Sequence, residues 1–185
     1  MKRNPALVGF LVVLVTLGVL YIIYSTFLEK KTGYVIDNPS SEQLALDING
    51  KEFVIAPNQT MRIDLMRGEN RVKYVYRDRK IDTVINIQKA NGLLNPTGET
   101  YYTFKRPYGM RNNVDSLFKS NHITIDDKVY FGSILKSDRL YIENFYYNLD
   151  EDFPKIFIKK GEKHTDLMKI FNEKDFKQFY FENYE

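Results

Sequence analysis

The chain has 185 residues, with 27 Lys and Arg against 24 Asp and Glu, two His, and neither Cys nor Trp. The absence of cysteine excludes a disulfide framework, a zinc–thiolate site, a cysteine nucleophile and an acylated lipoprotein, and two histidines cannot supply a three-histidine metal site. At 43% hydrophobic and 28% charged residues, the composition is that of a chain that folds.

The first predicted element is apolar. Lys2 and Arg3 precede a stretch from Ala6 to Leu28 that carries no charge; 15 of its 23 residues are Leu, Ile, Val or Phe. As a helix it spans about 34 Å, enough for a hydrocarbon core of about 30 Å. Tyr21 and Tyr24 fall near its far end, where interfacial aromatics gather. A cleaved signal peptide has a shorter apolar run, about 7–15 residues, closed by small residues; this run ends in Tyr24-Ser25-Thr26-Phe27-Leu28. The expectation is a single-pass, uncleaved signal-anchor, with the lipid bilayer as partner of residues 6–28 and residues 1–5 as a cytoplasmic tail. Lys2 and Arg3 on one side nearly balance Lys30 and Lys31 on the other. The terminal amine tips the count toward N-inside, which places residues 29–185 outside the cytoplasm, in the periplasm of a bacterial inner membrane.

Residues 29–32 form a short linker that reaches about 14 Å and keeps the following domain near the membrane. Without Lys2 and Arg3 the balance is 25 cations to 24 anions, so no general attraction to nucleic acid is expected.

Residues 33–105 read as about seven short strands of an antiparallel β-sandwich. Tyr34 to Asp37 is the first. Leu44, Leu46 and Ile48 alternate with Ala45 and Asp47, and Asn49-Gly50 is the preferred pair for a two-residue hairpin turn, which sets Leu46 opposite Phe53 and Leu44 opposite Ile55. Met61, Ile63 and Leu65 alternate after Pro57-Asn58. Val72, Tyr74 and Tyr76 alternate next, after a turn at Arg67 to Asn70. A turn at Asp78-Arg79 then pairs Tyr76 with Ile81, Tyr74 with Thr83 and Val72 with Ile85. Asn91-Gly92 to Gly98 reads as a loop and Thr100 to Lys105 as the last strand. Turns recurring every 8–12 residues are the mark of a sandwich.

Residues 106–185 read as an α+β portion. Val114, Leu117 and Phe118 have helical spacing. Asp126-Asp127 is flanked by Ile123–Ile125 and Lys128–Phe131, a hairpin. Leu140 to Tyr147 and Lys155 to Ile158 read as strands. Leu167, Ile170 and Phe171, then Phe176, Phe179 and Tyr180, predict one or two terminal helices. No internal repeat and no low-complexity tract stands out.

Ile48-Asn49-Gly50-Lys51, Ala56-Pro57, Ile63-Asp64-Leu65 and Gly68-Glu69-Asn70-Arg71-Val72 form a series that resembles the small extracytoplasmic β-sandwich domains of the PEGA type over residues 34–88. The Pro-Glu-Gly-Ala signature is missing, and Arg67-Gly68 stands where those domains carry a Pro-x-Gly turn. The resemblance implies a β-sandwich outside the cytoplasm and carries no catalytic residue.

Chemistry needs a constellation, and none of the nucleophile-elbow, phosphate-loop, dinucleotide or metalloprotease motifs occurs. His122 near Ser120, Asp126 and Asp127 is an imaginable triad, but a histidine just before a hairpin is an ordinary surface residue, and His164 before a helix-capping Thr165 is no different. Asp150-Glu151-Asp152 offers oxygen ligands without the spaced loop of a calcium site and reads as a solvated turn. No catalytic residue, metal or cofactor is therefore assigned.

Two sets of residues point to binding. Arg71, Lys73, Arg77, Arg79 and Lys80 concentrate positive charge that suits lipid headgroups or an acidic partner, or form the wet face of a sheet. Twelve of the 27 Tyr and Phe lie between Leu140 and Glu185. Among them Tyr146, Tyr147, Phe179, Tyr180 and Phe181 put aromatics on both faces of their elements, as core, as a protein interface, or as a sugar-stacking surface. The sequence thus predicts a non-enzymatic, membrane-anchored accessory subunit that binds partner proteins. The alternative is a stand-alone anchored receptor for a soluble ligand such as a glycan or toxin.

Overall fold

The computed structural model describes residues 5–24, 33–108, 121–153 and 165–184. Contacts divide the chain into two compact units, Met1–Thr32 and Gly33–Glu185. The first holds one helix, α1 (Pro5–Ile23), with no charged residue. Every side chain from Gly9 to Tyr24 is exposed, Phe10 and Tyr21 by 65% and 70%. That stretch is about 24 Å long, shorter than the expected 23-residue span, whose last residues, 25–28, lie outside those described. Among the described residues no helix is long and apolar enough to cross a membrane.

The second unit is mainly β, with four sheets and a C-terminal helix. Its strands are β1 (Gly33–Asn38), β2 (Leu44–Ile48), β3 (Lys51–Ile55), β4 (Gln59–Ile63), β5 (Gly68–Tyr76), β6 (Arg79–Ile87), β7 (Asn91–Leu94), β8 (Tyr101–Tyr108), β9 (His122–Ile125), β10 (Lys128–Phe131), β11 (Ser133–Ser137), β12 (Tyr141–Ile142) and β13 (Thr165–Asn172), followed by helix α2 (Glu173–Tyr184). The sheets run β3-β2-β5-β6, β12-β7-β1-β4, β11-β8-β13 and β10-β9.

Three hydrophobic clusters stack these sheets into layers. Leu46, Val72 and Ile85 of the first sheet meet Tyr34, Ile36 and Leu94 of the second. The second sheet turns its other face, Val35 and Leu93, toward Tyr101 and Ile170 of the third, with Ile142 and Phe145 alongside. The third sheet in turn covers its far side with α2 and the β9–β10 hairpin, through Tyr102, Phe104, Phe171, Tyr130, Phe176 and Tyr180. Two of the four sheets, the second and third, are thus buried on both faces, and every residue of β1 is buried.

The hairpins follow local turn chemistry. Asn49 and Gly50 take positive φ (55° and 83°) and set Leu46 opposite Phe53 and Leu44 opposite Ile55, as the pattern predicts. Asp126 and Asp127 do the same between β9 and β10. The β5–β6 register departs by two residues: Tyr76 pairs with Arg79, Tyr74 with Ile81 and Val72 with Thr83. The tighter turn is Arg77-Asp78, both at positive φ (48° and 61°). A slip of two keeps the same side chains inward, because strand side chains alternate with period two.

Other expectations change more. Asn91 to Leu94 is a strand, not a loop, and it pairs with β1 in parallel, so the sheets are not all antiparallel. Gly92 belongs there because a Cβ would fall 2.4 Å from the Tyr141 hydroxyl. Leu140 to Tyr147 contributes only the two-residue β12 and an isolated bridge from Tyr147 to Lys169. Leu167, Ile170 and Phe171 lie on a strand: Ile170 and Phe171 are neighbours facing opposite cores, and two-sided burial imitates helical spacing. The helix expected around Val114 and the strand at 155–158 lie outside the described residues. The expected boundary between residues 105 and 106 falls inside β8.

Helix α2 is capped by Asn172, whose side chain accepts from the Asp175 backbone N–H at 2.8 Å and donates back to the Asp175 carboxylate at 2.8 Å, a reciprocal cap. Its buried side, Phe176 and Tyr180, completes the third cluster.

Candidate functional site

The outer face of β3-β2-β5-β6 carries part of the expected basic set. Arg71, Lys73 and Lys80 are exposed there, but the register interleaves them with acids. Asp47 pairs with Glu52 on one side and Lys73 on the other, and Lys73 pairs with Asp82. Arg71 holds Asp82 with both arms, at 2.7 and 2.8 Å, which depresses the Asp82 carboxyl below its ordinary range. Three cations therefore face three carboxylates, and this surface is balanced rather than basic. Each exposed pair contributes little to stability.

Arg77 and Arg79 separate from that face. Arg77 occupies the β5–β6 turn with its guanidinium 5.1 Å from the centre of the Tyr76 ring. Arg79 opens β6 opposite Tyr76, on the parity of Ile81 and Ile85, which point toward the other sheet.

The aromatic set divides as well. Tyr180 is buried, its ring edge-on to Tyr130 at 5.0 Å, and its hydroxyl accepts from the Phe131 N–H at 2.9 Å. Phe179 packs within 4.9 Å of Phe171 and 5.7 Å of Phe104. Tyr180 is thus a core residue, and Phe179 is half-buried against the same cluster. Tyr147 is half-buried beside Lys169, while Tyr146 and Phe181 are exposed.

The remaining candidates are dispersed. His122 is exposed at the start of β9, 6.0 Å from the Phe131 ring. Asp126 pairs with Lys177 of α2. Ser120 and His164 lie outside the described residues. Asp150 and Glu151 hold Arg62 of β4, and Glu151 also accepts from the Asn148 N–H at 2.8 Å. Among the described residues no group of three His, Asp or Glu is placed to hold a metal ion.

Buried ionisable groups are committed to the fold. The Asp37 carboxylate accepts from the Tyr101 hydroxyl between the second and third sheets. Burial pushes both groups up from their ordinary values, for Asp37 against that hydrogen bond and for Tyr101 reinforced by the neighbouring carboxylate. Lys169 donates to the backbone carbonyls of Asn148, at 2.6 Å, and of Glu151, and burial lowers it against the pull of nearby acids.

Sequence reasoning missed a set of buried asparagines. Asn148 donates to the carbonyls of Gly33 and Gly92, at 2.7 and 3.1 Å, tying together the starts of β1 and β7. Asn38 and Asn95 each donate to the carbonyl four residues on, Glu42 at 2.8 Å and Glu99 at 2.7 Å. The signal was present: Asn38-Pro39-Ser40-Ser41-Glu42 and Asn95-Pro96-Thr97-Gly98-Glu99 share one pattern, and Asn-Pro is a turn initiator. Both stretches leave the parallel pair β1 and β7 at the same end.

No family model, no curated protein and no solved structure matches the chain.

Proposed function

We propose that the chain is a membrane-anchored accessory subunit whose β-rich domain binds partner proteins in a membrane or envelope complex, a binding role rather than a catalytic one. The observation that carries this reading is α1: an uncharged helix whose side chains stay exposed from Gly9 to Tyr24. Exposed apolar surface on that scale calls for lipid or protein around it, and residues 25–28 extend the uncharged run in sequence. N-inside orientation puts residues 29–185 on the far side of a bacterial inner membrane. The resemblance of residues 34–88 to PEGA-type domains points the same way.

Binding fits the rest of the molecule. Its buried carboxylate and ammonium are used up in structural hydrogen bonds, whereas Tyr146 and Phe181 keep aromatic surface outward. The test is the native mass and composition of the full-length protein extracted gently from its own membrane. A large particle with stoichiometric companions is expected. A lone chain or small homo-oligomer overturns the subunit reading and favours the receptor for a soluble ligand.

A further inference from the structure

At one end of the two facing sheets, where β5 turns into β6, the layers part and leave a concavity of about 480 Å³, within the roughly 300–1,000 Å³ of small-ligand sites. Its floor is Tyr76, Ile81 and Leu140, half-buried side chains that finish the first cluster. Arg77 and Arg79 stand on one wall and Asp138 on the other. We propose that this concavity receives an acidic peptide segment of a partner protein, one carboxylate held between the Arg77 and Arg79 guanidiniums and an adjoining apolar side chain laid on Tyr76, Ile81 and Leu140. The proposal rests on the reading of the chain as a partner-binding subunit and gives that partner a chemistry.

Three observations carry it. First, the two guanidiniums are available. Arg71 of the same sheet is spent on Asp82 and Arg62 of the second sheet on Asp150 and Glu151, but neither Arg77 nor Arg79 has a carboxylate within ion-pair distance among the described residues. A guanidinium matches a carboxylate through paired parallel hydrogen bonds, and Arg77 is already held over the Tyr76 ring at 5.1 Å.

Second, the opposite wall is preformed. The 95–98 loop is braced from inside by the buried Asn95. Its backbone N–H donates to the Leu140 carbonyl at 2.7 Å, and its side chain donates to the Glu99 and Asp138 carbonyls at 2.7 and 3.3 Å. A wall fixed before binding spares the ligand the cost of ordering it.

Third, the charge pattern selects among anions. Asp138 across from the arginines repels a compact dianion such as phosphate more strongly than a single carboxylate, and an apolar floor does nothing for a phosphate. A single carboxylate beside an apolar side chain satisfies both halves, and acidic segments of proteins present that combination.

The probe is a fluorescent hexapeptide alternating glutamate and phenylalanine, titrated by anisotropy onto the full-length protein in neutral detergent. Saturable binding that weakens with salt is expected. The Arg77→Gln/Arg79→Gln double variant weakens it by about tenfold or more, the loss of two charge-assisted contacts. Asp138→Asn tightens it by about two- to threefold, a gain that a misfolded variant cannot give. Lys73→Gln, on the balanced outer face, leaves it unchanged.

Equal binding by the double variant, or by a peptide with glutamine in place of glutamate, overturns the proposal. So does competition by millimolar inorganic phosphate, or capture by phosphatidylglycerol vesicles that the double variant abolishes, since either makes the site one for phosphate groups. The native mass is a separate readout: a protein with companions that ignores the peptide loses this site and keeps its role as a subunit.

Discussion

The sheet β3-β2-β5-β6 and the sheet β11-β8-β13 solve opposite problems. The first has one wet face. Along β5, buried and exposed residues alternate from Asn70 to Val75, and on the outer side Lys73 stands between Asp47 and Asp82 of the neighbouring strands. The second has core on both sides. Tyr101, Tyr102, Thr103 and Phe104 are buried in succession, and alternate members enter different clusters. A one-faced sheet writes its period into the sequence; a two-faced sheet erases it. The first is also assembled from neighbours in the chain, while β8 finds β13 some sixty residues on.

The comparison is broken most forcefully at the aromatic layer. Phe176 is fully buried, its ring 5.2 Å from Tyr102 and 5.5 Å from Tyr130. Phe176→Ala is expected to cost about 3–5 kcal/mol, and Leu46→Ala in the first cluster about 2–5 kcal/mol, read by urea unfolding of the full-length protein in mild detergent. If Leu46→Ala proves the costlier, the two-faced region is not the more demanding one.

Asn148 tests the seam beneath both. Asn148→Ala strands the carbonyls of Gly33 and Gly92 and should cost about 1–3 kcal/mol in the same assay. A neutral result means that water replaces the amide and the tie is dispensable.

Asp37 adds a dependence on pH. Its burial raises the carboxyl's proton affinity, so the folded state retains a proton that the unfolded state has released. Stability should then fall as pH rises above about 4, until Asp37 ionises in the fold. Asp37→Asn keeps an acceptor for Tyr101 and should flatten that slope. Parallel curves for the two proteins from pH 4 to 7 would contradict the assignment.

The smallest effect is expected on the wet face. Arg71→Gln removes a two-armed pair with Asp82, yet the unfolding midpoint should stay within experimental error, because water and salt screen it. A clear loss would mean that the charge ladder holds the sheet together.

What was legible in the sequence tracks the same divide. Asn49-Gly50 and Asp126-Asp127 announce their turns, and the alternation of Leu44, Leu46 and Ile48 fixes both register and face. Arg77-Asp78 does not announce itself, since Arg is not a residue that favours the left-handed region, and the register shifts by two with the faces intact. Asn91-Gly92 carries a turn's signature, but Gly92 is there to admit Tyr141. Ile170 and Phe171 mimic a helix because each serves a separate core.

The surroundings of the candidate residues were hidden for a related reason. Charge clusters in sequence say nothing of what stands on the next strand. Asp47 and Asp82 neutralise Lys73 from positions 26 and 9 residues away. Among the described residues the aromatic density near the C-terminus mostly goes inward: Tyr180 is buried and Phe179 half-buried against one cluster, while Tyr146 and Phe181 are exposed.

The complete enclosure of β1 has a consequence for timing. This strand is the first of its unit to be synthesised, yet the surroundings of Val35 are finished only when Ile170 arrives. Until then the second sheet can pack only its face toward the first, and the third sheet lacks β13, so the burial of β1 on both sides waits on completion of the chain. A product truncated before Thr165 loses Phe171, Phe176 and Tyr180 and should lay bare Tyr102 and Phe104, which makes an unfinished copy the stickier and more readily digested one.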